Sequence, residues 1–188
     1  MLVGMDRVEA LLLALDAQVE LGRHIRADQL ARGTPCEGWC VREVMNHSIG
    51  VTLKFADFAA GATIQPVAPV GDLVGRDHLK ALRSCADAAR AAWPSADMTR
   101  SCDLPFGVFS ADLAAGINLF DALAHTWDIA TATGVQLECP DVLWSVGLDS
   151  ARSVIGTRRD PAHYAAEVPV GPGAGPRQRF LGFLGRLG

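Results

Sequence analysis

Apolar positions recur every three and four residues along most of the chain, a period that predicts helices and not strands. Between Asp6 and Ile25, Val8, Leu11, Leu12, Leu15 and Val19 form one such stripe. Gly33-Thr34-Pro35-Cys36-Glu37-Gly38 interrupts it with turn residues. Val41, Val44, Met45, Ser48, Val51, Phe55 and Phe58 then resume helical spacing as far as Gly61. Ala62 to Gly75, with Pro66, Pro69, Gly71 and Gly75, reads as a connection, and a third helix follows through Leu79, Leu82, Ala86, Ala89 and Trp93 to Pro94. Ser95 to Phe109 contains Pro105 and Gly107 and reads as a loop. Ser110 is placed to cap a fourth helix through Leu113, Ile117, Phe120, Ala124 and Trp127, with Gly134 to stop it. Pro140 and Asp141 suit the first turn of a fifth, through Val142, Val146 and Ile155 to Gly156.

Beyond Gly156 the helical signal weakens. Val168-Pro-Val-Gly-Pro-Gly-Ala-Gly-Pro176 is a Pro/Gly tract without a core pattern, and Phe180-Leu-Gly-Phe-Leu184 is expected to dock the terminus back onto the domain. No internal repeat and no convincing strand run is present. The pattern predicts one all-α domain over residues 1–188, a four-helix bundle with short C-terminal additions.

Composition narrows the function classes. Hydrophobic residues make up 49% and charged residues 20%, a balance that suits a folded domain with a substantial core and excludes a disordered chain. The net charge of -4 and the scatter of Arg and Lys give no basic field for phosphate backbones, so nucleic acid is not an expected partner. Asp, Arg, Glu or His breaks every apolar run before the roughly 18 to 20 residues that span a bilayer, and the first residues lack a leader-peptide pattern. The expected setting is the cytoplasm, without membrane insertion. Five cysteines, an odd number, do not form a secreted disulfide framework and are expected as reduced thiols.

The chemistry concentrates in three residues. Asp121 and His125 are four apart in the fourth helix, so both side chains lie on one face about one turn apart, and His47 lies beside the apolar stripe of the second helix. Two imidazoles and a carboxylate converging between helices make a three-ligand site for a divalent metal, with a coordination position left for water or substrate. Polar residues at that spacing also hydrogen-bond to each other or face solvent, and a histidine beside an apolar stripe is often a satisfied core residue. Ile117, Phe120, Ala124 and Trp127 around the pair favour the metal, because ionised groups bordering a core need compensation.

Other candidates read as plainer features. His24, His78 and His163 sit among Arg and Asp and are expected at the surface. Cys36 and Cys40 have no second cysteine pair to complete a four-thiolate zinc site; the plainer reading of Cys40 is a buried thiol, and if the second helix already includes it, its seven-residue separation from His47 would bring it toward the metal. Asp128, three residues after His125, is placed to orient that imidazole, although the plainer reading is an exposed surface carboxylate. Trp39 and Trp127 are expected in the core. The chain lacks G-x-G-x-x-G after a strand, G-x-x-x-x-G-K-[ST] and G-x-S-x-G, which removes the main support for nucleotide binding and serine hydrolysis.

Two long motifs resemble a known family. Thr34-Pro-Cys-Glu-Gly-Trp39-Cys-Val41-Arg42-Glu-Val-Met-Asn46-His47 and Asp121-Ala-Leu-Ala-His125-Thr-Trp127-Asp128-Ile-Ala-Thr-Ala-Thr-Gly134 resemble the two motifs of the DinB-like superfamily, in the actinobacterial group related to the N-terminal domain of mycothiol-dependent maleylpyruvate isomerase. Phe180-Leu-Gly-Phe-Leu-Gly-Arg186 is similar to the group's ending. The resemblance implies an up-down-down-up four-helix bundle holding a divalent metal at His47, Asp121 and His125, where the group more commonly has Glu in place of Asp121. It implies zinc first, with nickel, iron or manganese also suited, and mycothiol as co-substrate. The isomerase continues into a further domain, so isomerisation of maleylpyruvate itself does not follow.

The function this reading favours is a thiol-dependent transferase or isomerase, in which an open metal site activates a small-molecule thiol toward an electrophilic substrate. The alternatives are a metal-dependent hydrolase and a non-enzymatic metal or small-ligand binding module, with a homodimer through a helix face as a further expectation.

Overall fold

The computed structural model describes residues 5–64, 71–156, 159–161 and 164–186, and its helices begin where the capping residues dictate. Asp6 accepts from the Glu9 amide at 2.8 Å and opens α1, Arg7–Arg23; Asp77 accepts from Lys80 at 2.9 Å and opens α3, His78–Ala92. Between them runs α2, Val41–Ala59, where Glu43 reaches back to the Cys40 amide at 2.8 Å. Ser110 caps α4, Ala111–Thr133, and Gly134 ends it in the left-handed conformation at φ 71°, which only glycine adopts without strain. Helix α5 spans Asp141–Ile155. The predominantly helical expectation holds, and among the described residues no helix is long and apolar enough to cross a membrane.

Two elements depart from the sequence expectation. Ser95 to Phe109 is not all loop: Ser101–Leu104 (β1) pairs antiparallel with Gly107–Ser110 (β2) around Pro105-Phe106. Only Cys102 and Leu104 of β1 are buried, so two inward positions gave too short an alternation to stand out. The terminus forms a helix, α6, Pro176–Phe183; Pro176 starts it and Gln178 accepts from the Gly175 amide at 3.1 Å. Phe180 and Leu181 are fully buried, so the expected docking of the terminus holds. In the connection between α2 and α3, residues 65–70 lie outside the described residues, as does His163.

Helix α4 is buried nearly all round, as its apolar sequence requires, and packs against α1, α2 and α5, while α3 packs against α1 and α2. Cross-helix pairs give the directions. Arg7 pairs with Asp112 at the start of α4, and Gln29, just beyond α1, donates to the Thr133 carbonyl at its end, so α1 and α4 run alike. His47 with Asp121 and Thr52 with Asn118 run α2 against α4, and His78 with Gly22 and Arg90 with Asp16 run α3 against α1. By these pairs α1 and α4 run one way and α2 and α3 the other.

Helix α6 sits close against the strand-like segment before it. A Cβ on Gly182 would lie 2.7 Å from the Val168 carbonyl oxygen and 2.8 Å from Val170 Cγ1. Gly182→Ala is therefore expected to lower stability by about 1–3 kcal/mol, measured as a lower urea midpoint. Gly173→Ala, with nothing within 4 Å of the new atom, should leave it within about 1 kcal/mol.

Candidate metal centre

Two buried hydrogen bonds set the rotation of α2. Gln18 of α1 donates to Ser48 at 3.0 Å, and Thr52 donates to Asn118 of α4 at 3.0 Å, so His47, the residue just before Ser48, is directed at the α4 face carrying Asp121 and His125. Both bonds are buried, and a slipped helix would leave the four groups they join unpaired.

The structure brings the three predicted residues together. His47 Nε2 lies 3.3 Å and His125 Nε2 3.5 Å from the same oxygen, Asp121 Oδ1. The imidazole rings meet edge to face, 4.9 Å between centroids at 82°. One donor atom from each residue falls within 4.8 Å of the others, near enough to share one ion. The shorter arm of Asp121 therefore suffices to reach both histidines. Its second oxygen, Oδ2, is buried without a hydrogen-bond partner. Burial works to raise the Asp121 pKa, but His125 and then His47 outweigh it and hold the carboxyl well below its ordinary 3.8.

The far side of His125 is held just as firmly. Its Nδ1 lies 3.0 Å from Asp128 Oδ2, which leaves Nε2 for the shared site, the orientation in which a carboxylate fixes a metal-ligating imidazole. Burial opposes the charged ring, yet Asp121, Asp128 and Cys36 together raise the His125 pKa well above 6.5. Asp128 is fully buried, so the solvent-facing alternative for it is overturned. Arg186, just after α6, grips it with Nε on Oδ1 at 2.9 Å and Nη2 on Oδ2 at 2.8 Å. Against the cost of burial, Arg186 and then His125 hold the Asp128 pKa at about 2.

The thiol beside this group is Cys36, not Cys40. Cys36 Sγ donates to Asp128 Oδ2 at 3.2 Å and lies 3.7 Å from Arg186 Nη2. Cys40 sits where α2 begins, at the wrong end of the turn, because the bend at Gly38 folds Cys36 inward. A second donor set, Cys36, His125 and Asp128, also lies within 4.8 Å, but the Arg186 guanidinium already occupies it with positive charge.

Trp127 is in the core as expected, whereas Trp39 is 39% exposed and sets its ring 5.1 Å from that of His47 at the rim. His24 is exposed and pairs with Glu20; His78 is half-buried and bonds the Gly22 carbonyl. Beside the triad opens a cavity of about 400 Å³, walled mainly by apolar side chains of α2, α4 and the hairpin, with Lys54, Tyr164 and Arg186 as its other polar lining. Burial, then the Asp121 carboxylate, push the Tyr164 phenol up to about 12, so it stays protonated. Sequence reasoning assigned no role to Arg186, Lys54 or Tyr164. For Lys54 a signal existed: it is seven residues after His47, on the same face of α2.

Comparison with known proteins places this geometry. The family described as the mycothiol maleylpyruvate isomerase N-terminal domain matches residues 11–130, a span that contains the triad and Asp128 but not Arg186. Two uncharacterised proteins of Mycobacterium tuberculosis, from the CDC 1551 and H37Rv strains, are each 30% identical over 184 residues, covering 97% of this chain and 98% of the relative. No solved structure gives a significant match.

Asp128→Ala would leave the buried Arg186 without its anion and is expected to cost about 3–5 kcal/mol at neutral pH, measured by urea unfolding. The folded pKa of Asp128, about 2, lies below its ordinary 3.8. Its stabilisation is thus complete above the ordinary value and lost as pH falls through the folded one. The unfolding curves of wild type and variant should converge in acid; a gap that widens there would contradict the assignment.

Proposed function

The chain belongs to the family of the mycothiol maleylpyruvate isomerase N-terminal domain, and from that premise we propose that it is a divalent-metal protein that activates a low-molecular-weight thiol, of the mycothiol type, for transfer to an electrophile or for isomerisation of one. What carries the metal reading is the Asp121 carboxylate: one oxygen lies against two imidazole nitrogens, and the other is buried without a hydrogen-bond partner. A buried carboxylate oxygen without a donor is costly unless a cation completes it.

His47 Nε2, His125 Nε2 and Asp121 would hold the ion, a donor set that suits zinc first and also nickel, iron or manganese. A metal there supplies a Lewis acid that keeps a bound thiol in its thiolate form at neutral pH. The remaining work falls to the chain. Asp128, clamped by Arg186, keeps the His125 ring in the tautomer that presents Nε2. The apolar cavity excludes water, which favours sulfur over hydroxide as the nucleophile, and gives the electrophile a place beside the thiol. The thiol proton passes to solvent, a carbon–sulfur bond forms, and a leaving group departs with its electron pair; in an isomerisation the sulfur itself is expelled afterwards.

Purified protein is expected to carry about one divalent ion per chain, lost in His47→Ala and in His125→Ala when measured by elemental analysis. Arg186→Gln should retain the ion but bind it about 10–100-fold more weakly. Metal-loaded protein should bind mycothiol and consume it with members of a panel of electrophiles. Unchanged metal content in both histidine variants would overturn the metal reading. Metal without thiol turnover would reduce the protein to a binding module, and ester or amide cleavage without thiol would make it a hydrolase.

A further inference from the structure

We propose that the cavity takes an apolar molecule bearing a single acidic group, and that Lys54 holds that group at the end remote from His47. The inference deepens the proposed function by naming the chemical class of the electrophile, and rests on that reading for the electrophile's role. His47, Val51 and Lys54 are spaced i, i+4, i+7, so they line one face of α2, with Lys54 two turns, roughly 10 Å, along the axis from His47. Because α4 runs the opposite way, Ile117 lies toward the Lys54 end and His125 on the other side of Asp121 from it. The cavity thus has a polar end at the triad and an ammonium two helical turns away, and Val51, Phe55, Leu104, Phe106, Ile117 and Phe120 are among its apolar lining.

The charges in that lining are otherwise committed. Arg186 is bound to Asp128 by two contacts, and Asp121 to both histidines. Lys54 is partly buried and has no hydrogen bond or ion pair among the described residues. Burial pulls its pKa below the ordinary 10.5, against a smaller opposing effect of Cys102, as befits an ammonium without an anion beside it. A neutral ligand would remove more water from Lys54 without replacing it, and a second acidic group at the Lys54 end would have to lie against the apolar walls with no further cation there to meet it. A single acid at the Lys54 end satisfies both constraints.

The test uses octanoate and its neutral counterpart octanamide as probes, titrated by calorimetry into the full-length protein, metal-loaded and after chelation. Wild type should bind the acid at least about tenfold more tightly than the amide. Lys54→Met should bring the two within about threefold, while Lys54→Arg keeps the preference and both variants keep wild-type metal content and a wild-type melting curve. The preference should survive chelation, because Lys54 is not a metal ligand. Equal binding of acid and amide, no binding of either, or a preference that persists in Lys54→Met would overturn the proposal, the last by placing the carboxylate elsewhere, on the metal if chelation abolishes it. If the protein proves metal-free yet the preference still depends on Lys54, the metal reading alone fails.

Discussion

An ionised carboxylate wedged between two helices needs positive charge around it, and Asp121 is that carboxylate. It receives His47 from α2 and His125 from its own helix on a single oxygen, while its other oxygen is buried without a partner. The geometry fixes the direction and rotation of α2 against α4, since a residue's slip in either helix would turn one imidazole away. It also sets three donor atoms close enough to share a cation, with space beside them. Asp121 and Asp128 favour a proton on the His125 ring, and a cation at that ring would compete with it.

Around that centre the chain builds support from distant sequence. Arg186 follows the last helix, and its two bonds to Asp128 tie the docking of α6 to the orientation of His125. Phe180 and Leu181 anchor α6 in the core, so hydrophobic burial at the terminus is converted into the position of a guanidinium more than fifty residues from the carboxylate it holds. Cys36 closes the same group from the turn before α2. Each member satisfies another, and this is why a charged cluster can persist in an interior with little water.

Much of this was legible in the sequence because helices repeat at a short period. The stripe through Val44, Val51 and Phe55 placed His47, and the spacing of Asp121 and His125 placed them on one face, before any tertiary contact was known. Capping residues located most helix ends. What periodicity could not deliver was pairing across long separations: Arg186 with Asp128, Cys36 with Asp128, and the exposure of Trp39 depend on how a turn and a terminal helix fold over the bundle. The hairpin was hidden for a different reason, as four-residue strands with two inward positions carry almost no pattern. Cys40 was the better thiol by helical spacing, and the bend at Gly38 put Cys36 there instead.

The role of the triad turns on where a metal binds. Crystals grown with zinc and measured at its absorption edge would locate the ion directly by anomalous scattering. One strong peak is predicted, about 2.0–2.2 Å from His47 Nε2, His125 Nε2 and an Asp121 carboxylate oxygen. A peak between Cys36, His125 Nδ1 and Asp128, or no peak within the triad at full zinc loading, would contradict it.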